Sequence, residues 1–128
     1  MATEMKLVYL IEALDANSDF LKRVMGENDY MFQTFNSIEA YKEKADQYVK
    51  PDLFIINHYV NQSDFDGIGL CRELKQANVE VPVVIMAVQN EGVHTNSILA
   101  GADGFIEKPF DIDLTRVLIK KALGELSL

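Results

Sequence analysis

The chain has 128 residues, 48 % apolar and 25 % charged, with a formal net charge of −8. That is enough for one domain with a real core over residues 1–128, and too little to divide into two. The acidic balance argues against a nucleic-acid partner, which calls for clustered Lys and Arg; the apolar runs fall far short of the ~18 residues of a membrane span, so no membrane partner is expected.

The single cysteine, Cys71, excludes an internal disulfide and fits a reducing compartment. The start, MATEMK, carries no signal-peptide apolar region, so a cytoplasmic location is expected. Low Pro and Gly content, with no biased tract and no repeat, leaves no room for a linker.

In chain order, Met5 to Ile11 is a continuous apolar run ending at Glu12, the pattern of a strand covered on both faces. Asn17 or Ser18 can cap the helix that follows, with Asp19 in its first turn and Phe20, Leu21, Val24 and Met25 on one face. Gly26 to Asp29 stops it. Tyr30 to Phe35 reads as a second strand, and Ser37 caps a second helix with Ile38, Tyr41, Ala45 and Tyr48 at helical spacing.

Pro51-Asp52 opens the central strand, Leu53 to Asn57, whose four apolar residues turn polar at Asn57 and His58. A polar loop leads to the helix GIGLCRELKQA, where Cys71 sits on the core-facing side as a packing residue. Pro82 to Val88 is a fourth strand. The helix candidate after it, NEGVHTNSILAGAD, holds weak formers in Gly92, Val93, Thr95 and Asn96, with Gly101 fitting its end. Gly104 to Ile106 is a fifth strand, and Asp111 or Asp113 opens the last helix.

Five strands alternating with five helices imply right-handed crossovers and an α/β three-layer doubly wound (βα)5 sandwich of flavodoxin-like type with a parallel sheet. Ligands bind such sheets beyond the carboxyl ends of the strands, which makes Asn57 the first place to look for chemistry. It is an amide, neither an acid nor a nucleophile.

Three stretches carry a resemblance that runs from about Met5 to Leu126. PDLFIIN followed by FDG, then VPVVIMAV, then AGADGFIEKPF, resemble the third, fourth and fifth strands of the CheY-like receiver domain of bacterial response regulators. The last is the most specific. The resemblance implies strand order 2-1-3-4-5 and a cis peptide between Lys108 and Pro109.

The resemblance also implies a two-component or phosphorelay function, with phosphorylation of an aspartate. Two acids after the first strand hold Mg²⁺, which neutralises the charge gathering around the phosphoryl oxygens; a lysine and a hydroxyl bind those oxygens once they arrive. Against that pattern this chain departs at several points. The acceptor position is Asn57, and the acidic pair reads Glu12-Ala13, or Asp15 with Ala16 in an alternative register. The hydroxyl position is Ala87, the switch aromatic is Phe105, and only Lys108 is kept. The loop from Asn57 to Gly67 is also longer than is usual in the family. The pattern is that of a pseudo-receiver, not an enzyme.

Glu12, Asn57, Ala87 and Lys108 thus form the expected degenerate phosphorylation pocket. A buried ammonium needs an anion, and a Glu12–Lys108 pair with Asn57 between them would satisfy all three. Asn57 reads either as a retained anchor bonded to Lys108 or as a leftover polar group. As metal ligands Glu12 and Asp15 are weak candidates, so no cofactor is expected and Mg²⁺ binding is not. Asp66 reads as a helix cap and Asp64 as a solvated loop residue, while His58 and His94 lack partners at ligand spacing.

Two readings stay open. In one, the face of the fourth helix, fifth strand and fifth helix binds a protein partner, or a second copy as a homodimer, without phosphorylation; exposed Val93 or Ile98 would mark that interface, and both could instead pack inward. With no effector segment after Leu128, output is expected in trans, unless the chain is an excised fragment of a longer protein. In the other, a residual receiver is phosphorylated at a non-standard acid such as Asp64 or Asp66, or after deamidation of Asn57.

Overall fold

The computed structural model describes residues 5–26, 28–45, 49–60, 66–77, 79–88, 91–108 and 110–125. Their elements alternate along the chain: β1 (Lys6–Ile11), α1 (Asp15–Met25), β2 (Tyr30–Phe35), α2 (Ile38–Lys44), β3 (Leu53–Asn57), α3 (Asp66–Gln76), β4 (Val83–Val88), α4 (Glu91–Leu99), β5 (Gly104–Lys108) and α5 (Ile112–Ala122). The strands form one parallel sheet in the order β2-β1-β3-β4-β5. Helices cover both faces, the expected doubly wound sandwich.

The continuous apolar runs are buried on both sides because each face of the sheet has its own core. Tyr9, Ile11, Phe54, Ile56, Val83 and Ile85 point to the side of α2, α3 and α4. Val8, Leu10, Leu53, Ile55, Val84 and Met86 point to the side of α1 and α5. The alternation follows from the two-residue period of a strand. On the first face, Tyr9, Phe35, Tyr41 and Phe54 meet edge to face, the Tyr9 ring centroid lying 5.2 Å from Phe35 and 5.6 Å from Phe54. Such pairs add to the stabilisation that burial alone gives.

Helix starts differ in how they are capped. Ser37 accepts from Ala40 N–H at 3.0 Å, as expected, and Asp111 rather than Asp113 caps α5 through Leu114 N–H at 2.9 Å. At α1 the expectation fails. The helix begins at Asp15 behind Leu14, which has no capping side chain, and Ser18 lies buried inside the helix. The reason is Glu12, whose carboxylate accepts from Leu14 N–H at 3.1 Å and so organises the turn from the strand side. Tyr48, Asp64 and Pro109, on which a helix face, a loop reading and a cis peptide were placed, lie outside the described residues, as does the side chain of Asp66.

Candidate functional site

Register fixes what gathers at the carboxyl ends of the strands. Ile11 pairs with Ile56, Asn57 with Met86, and Val88 with Lys108. Residues one step past the end of β1, at the end of β3 and at the end of β5 therefore converge. The start of α3 lies against the end of β3: a Cβ on Gly67 would stand 1.8 Å from the carbonyl oxygen of Asn57, so only glycine lets α3 start so close to the strand. Gly67 N–H then donates to His58 O at 3.0 Å.

At this convergence Asn57 Nδ2 donates to Glu12 Oε1 at 3.1 Å. Lys108 Nζ lies 3.6 Å from Glu12 Oε2, an ion-pair distance too long for a hydrogen bond. Glu12 is fully buried and Asn57 nearly so, while the Lys108 side chain keeps 19 % of its surface open. The trio expected from sequence is present, with one amendment. Asn57 bonds to Glu12, and among the described residues no Asn57–Lys108 hydrogen bond is found. Two oxygens, Glu12 Oε2 and Asn57 Oδ1, are buried without a hydrogen-bond partner.

Ala87, in the strand next to Asn57's partner Met86, is fully buried and offers only a methyl group. Asp15 is exposed on the first turn of α1, so the register that places Glu12 in the pocket is the one adopted. Phe105 is half-buried, its ring tilted 32° against that of His94 with centroids 4.8 Å apart. The two apolar markers on α4 divide. Val93 packs into the core, correcting its reading as an exposed interface residue, and Ile98 is 62 % exposed.

Cys71 is buried on α3 as expected, its Sγ 3.9 Å from Ala100 O. Burial above all pushes its thiol up to about 11. Among the described residues no three His, Cys, Asp or Glu side chains are grouped as a metal site, and no helix is long and apolar enough to cross a membrane.

Two further features were not expected from the sequence. Exposed Leu114 and Val117 give α5 an apolar outer side, away from buried Thr115 and Ile119, and Ile112 is exposed in its first turn. Helical spacing of 114 and 117 against 115 and 119 was the available signal. Second, Lys75 Nζ contacts Asp103 Oδ2 at 2.7 Å at the opposite end of the sheet.

A doubly wound parallel sheet with a lysine, an acid and an amide gathered beyond the ends of its strands defines a class of α/β domain whose site lies at the carboxyl edge. Residues 8–120 match the response regulator receiver domain family, and the chain belongs to that family. Members are signalling modules of two-component systems that act through partner proteins.

It is 31 % identical to the KDP operon transcriptional regulatory protein KdpE of Escherichia coli K12 over 118 residues, 91 % of this chain and 50 % of that protein. It is 31 % identical to the chemotaxis protein CheY of Bacillus subtilis over 89 residues, 69 % of this chain and 68 % of that one. The DNA-binding transcriptional regulator NtrC of Proteus hauseri matches at 32 % over 58 % of this chain, which spans only 15 % of NtrC. In fold it is similar to a response regulator of Chloroflexus aurantiacus J-10-fl, with a TM-score of 0.84 at 19 % identity over 94 % of this chain and 99 % of that one. A receiver protein of Pseudoalteromonas atlantica gives 0.81 at 22 % identity, over 92 % and 97 %.

Proposed function

We propose that this receiver domain is a pseudo-receiver, signalling by protein–protein contact without phosphorylation. The observation that carries the reading is the bond from Asn57 Nδ2 to Glu12 Oε1, with Lys108 on the other carboxylate oxygen. A carboxylate at position 57 would be the nucleophile for phosphorus; an amide has no comparable reactivity. Its N–H instead occupies the acid beside it. The lysine that would meet a phosphoryl group meets Glu12. The pocket is closed by its own charges.

The donor set does not fit the family's Mg²⁺. One carboxylate, already facing an ammonium and an amide N–H, stands where two acids are needed, and Ala13 has no donor. Of the two unpartnered oxygens, Glu12 Oε2 already faces that ammonium at 3.6 Å, which suits a bridging water better than a hard dication. Deamidation of Asn57 is disfavoured by the same geometry. It requires attack by His58 nitrogen, whose N–H is held by Met86 O at 2.9 Å.

Output then goes through the α4–β5–α5 face to a protein partner. Asn96 and Ser97 bond back to the carbonyls of Gly92 and Val93 at 2.8 and 2.7 Å, which weakens α4 as a helix and lets it adjust on binding. The test is incubation with Mg²⁺ and a small acyl phosphate, followed by intact mass. The expected result is an unmodified chain, with Asn57→Asp gaining one phosphoryl group. A phosphorylated wild-type chain overturns the reading.

A further inference from the structure

We propose that the cleft between α1 and α5, at the amino end of the sheet, binds a free α-amino acid with an apolar side chain. It opens where β2 starts at Tyr30, so it lies at the opposite end of the sheet from Asn57. The cavity there measures about 280 Å³, just below the usual range of ligand sites, which limits its occupant to a small molecule. Met25, Tyr30 and Ile119 are buried and give it an apolar floor. The Tyr30 hydroxyl is already taken, donating to Glu125 Oε1 at 2.7 Å, so what the ring offers a ligand is apolar surface.

Charge of both signs surrounds that floor. Arg116 and Lys120 line it from α5, one helical turn apart, and Asp29 lines it from the approach to β2. Arg116 Nε donates to Val24 O at 2.8 Å, which anchors the guanidinium and leaves its two terminal nitrogens for a carboxylate. Gly26, at φ +99°, makes room for Asp29 beside the end of α1, since a Cβ there would stand 2.7 Å from Asp29 Oδ2. Among the described residues no ion pair joins Asp29 to either cation, and the side chains of Asp29 and Lys120 have no other partner. Opposite charges that line one cleft without meeting can be bridged by a ligand that carries both. An α-amino acid sets its carboxylate on Arg116 and Lys120 and its ammonium on Asp29, where the carboxyl end of α1 also favours positive charge. A plain carboxylate is repelled by Asp29 and a plain amine by the two cations, so the zwitterion is the form selected.

The test is an amide NMR titration of the whole ¹⁵N-labelled chain with L-leucine, isocaproate, isoamylamine and glycine at matched pH and salt. Isocaproate lacks leucine's ammonium, isoamylamine its carboxylate and glycine its side chain. Leucine is expected to give saturable shifts confined to Met25, Asp29, Tyr30 and residues 116–120, and each analogue to bind at least about 3-fold more weakly. Affinity for leucine should fall about 3-fold in Asp29→Asn and in Lys120→Gln, and about 10-fold in Arg116→Gln, which loses charged hydrogen bonds. The Asp29 and Lys120 side chains make no bond that the fold needs, so those two variants stay folded, which their spectra verify. No saturable shift at millimolar leucine, shifts elsewhere, equal binding of any analogue, or unchanged affinity in the variants each overturns the inference. Any of these leaves the pseudo-receiver reading standing, because that reading falls only if the wild-type chain takes a phosphoryl group.

Discussion

The sheet carries a lysine–carboxylate pair at each end, and the two are built differently. At the amino end of β4, Asp103 Oδ2 takes Lys75 Nζ at 2.7 Å and Val83 N–H at 2.8 Å, while Lys75 also reaches Val81 O at 3.2 Å. Those contacts stitch α3, β4 and the approach to β5 together, in side chains that stay partly open to water. At the carboxyl end, Glu12 is buried, its lysine stands off at 3.6 Å, and oxygens on Glu12 and Asn57 are left unpartnered. The first pair is a saturated clip. The second has spare hydrogen-bonding capacity at Glu12 Oε2 and Asn57 Oδ1. Unused hydrogen-bonding atoms in a buried place separate the two better than the presence of an ion pair does.

The comparison can be broken at either end. The largest effect is expected from Gly67→Ala, whose Cβ would meet backbone at 1.8 Å; it should cost more than about 3 kcal/mol in urea unfolding. Gly104→Ala, where the nearest atom is a Val84 methyl at 3.3 Å, should cost less than about 1 kcal/mol. Next, Lys108→Met strands the buried Glu12 carboxylate and should cost about 3 kcal/mol, against about 0.5 kcal/mol for Lys75→Met in the more exposed clip. Equal losses would remove the distinction.

Asn57→Asp sets a second carboxylate against Glu12 and should lose about 2 kcal/mol, recovered on adding Mg²⁺; the wild type should not respond to the ion. The smallest effect concerns Cys71, which lies beside the clip. Its pKa is raised from 9.0 to about 11, first by burial, with Asp103 raising it and Lys75 lowering it. A raised thiol pKa means the fold prefers the protonated form, so the contribution is full below pH 9 and fades as pH rises toward 11. Thiol titration with an aromatic disulfide should be slow at pH 8, and Lys75→Met should push the pKa higher still.

Much of the fold was legible because the inner strands β1, β3 and β4 announce themselves as apolar runs, while the edge strands β2 and β5 are mixed and show themselves by the turn residues around them. The start of α1 was not, because its turn is organised by the Glu12 side chain rather than by a cap adjacent to the helix, and Ser18 looked like a better cap than Leu14. The pocket trio could be expected from one argument, that a buried lysine needs an anion. The direction of Asn57's bond could not, since it depends on which neighbour the strand register brings within reach. Val93 and Ile98 divided because α4 has no clean apolar stripe, so spacing alone could not say which side faces in. The Lys75–Asp103 clip joins residues 28 apart that only the finished sheet brings together.

The most direct test of the central claim is an amide NMR titration with Mg²⁺ and then beryllofluoride, which mimics a phosphoryl group on an acidic acceptor. A pocket closed by Glu12, Asn57 and Lys108 predicts a silent spectrum. Saturable shifts at Asn57, Ala87 and Lys108 that spread to Phe105 and α4 would contradict it and return the chain to the phosphorylated switches.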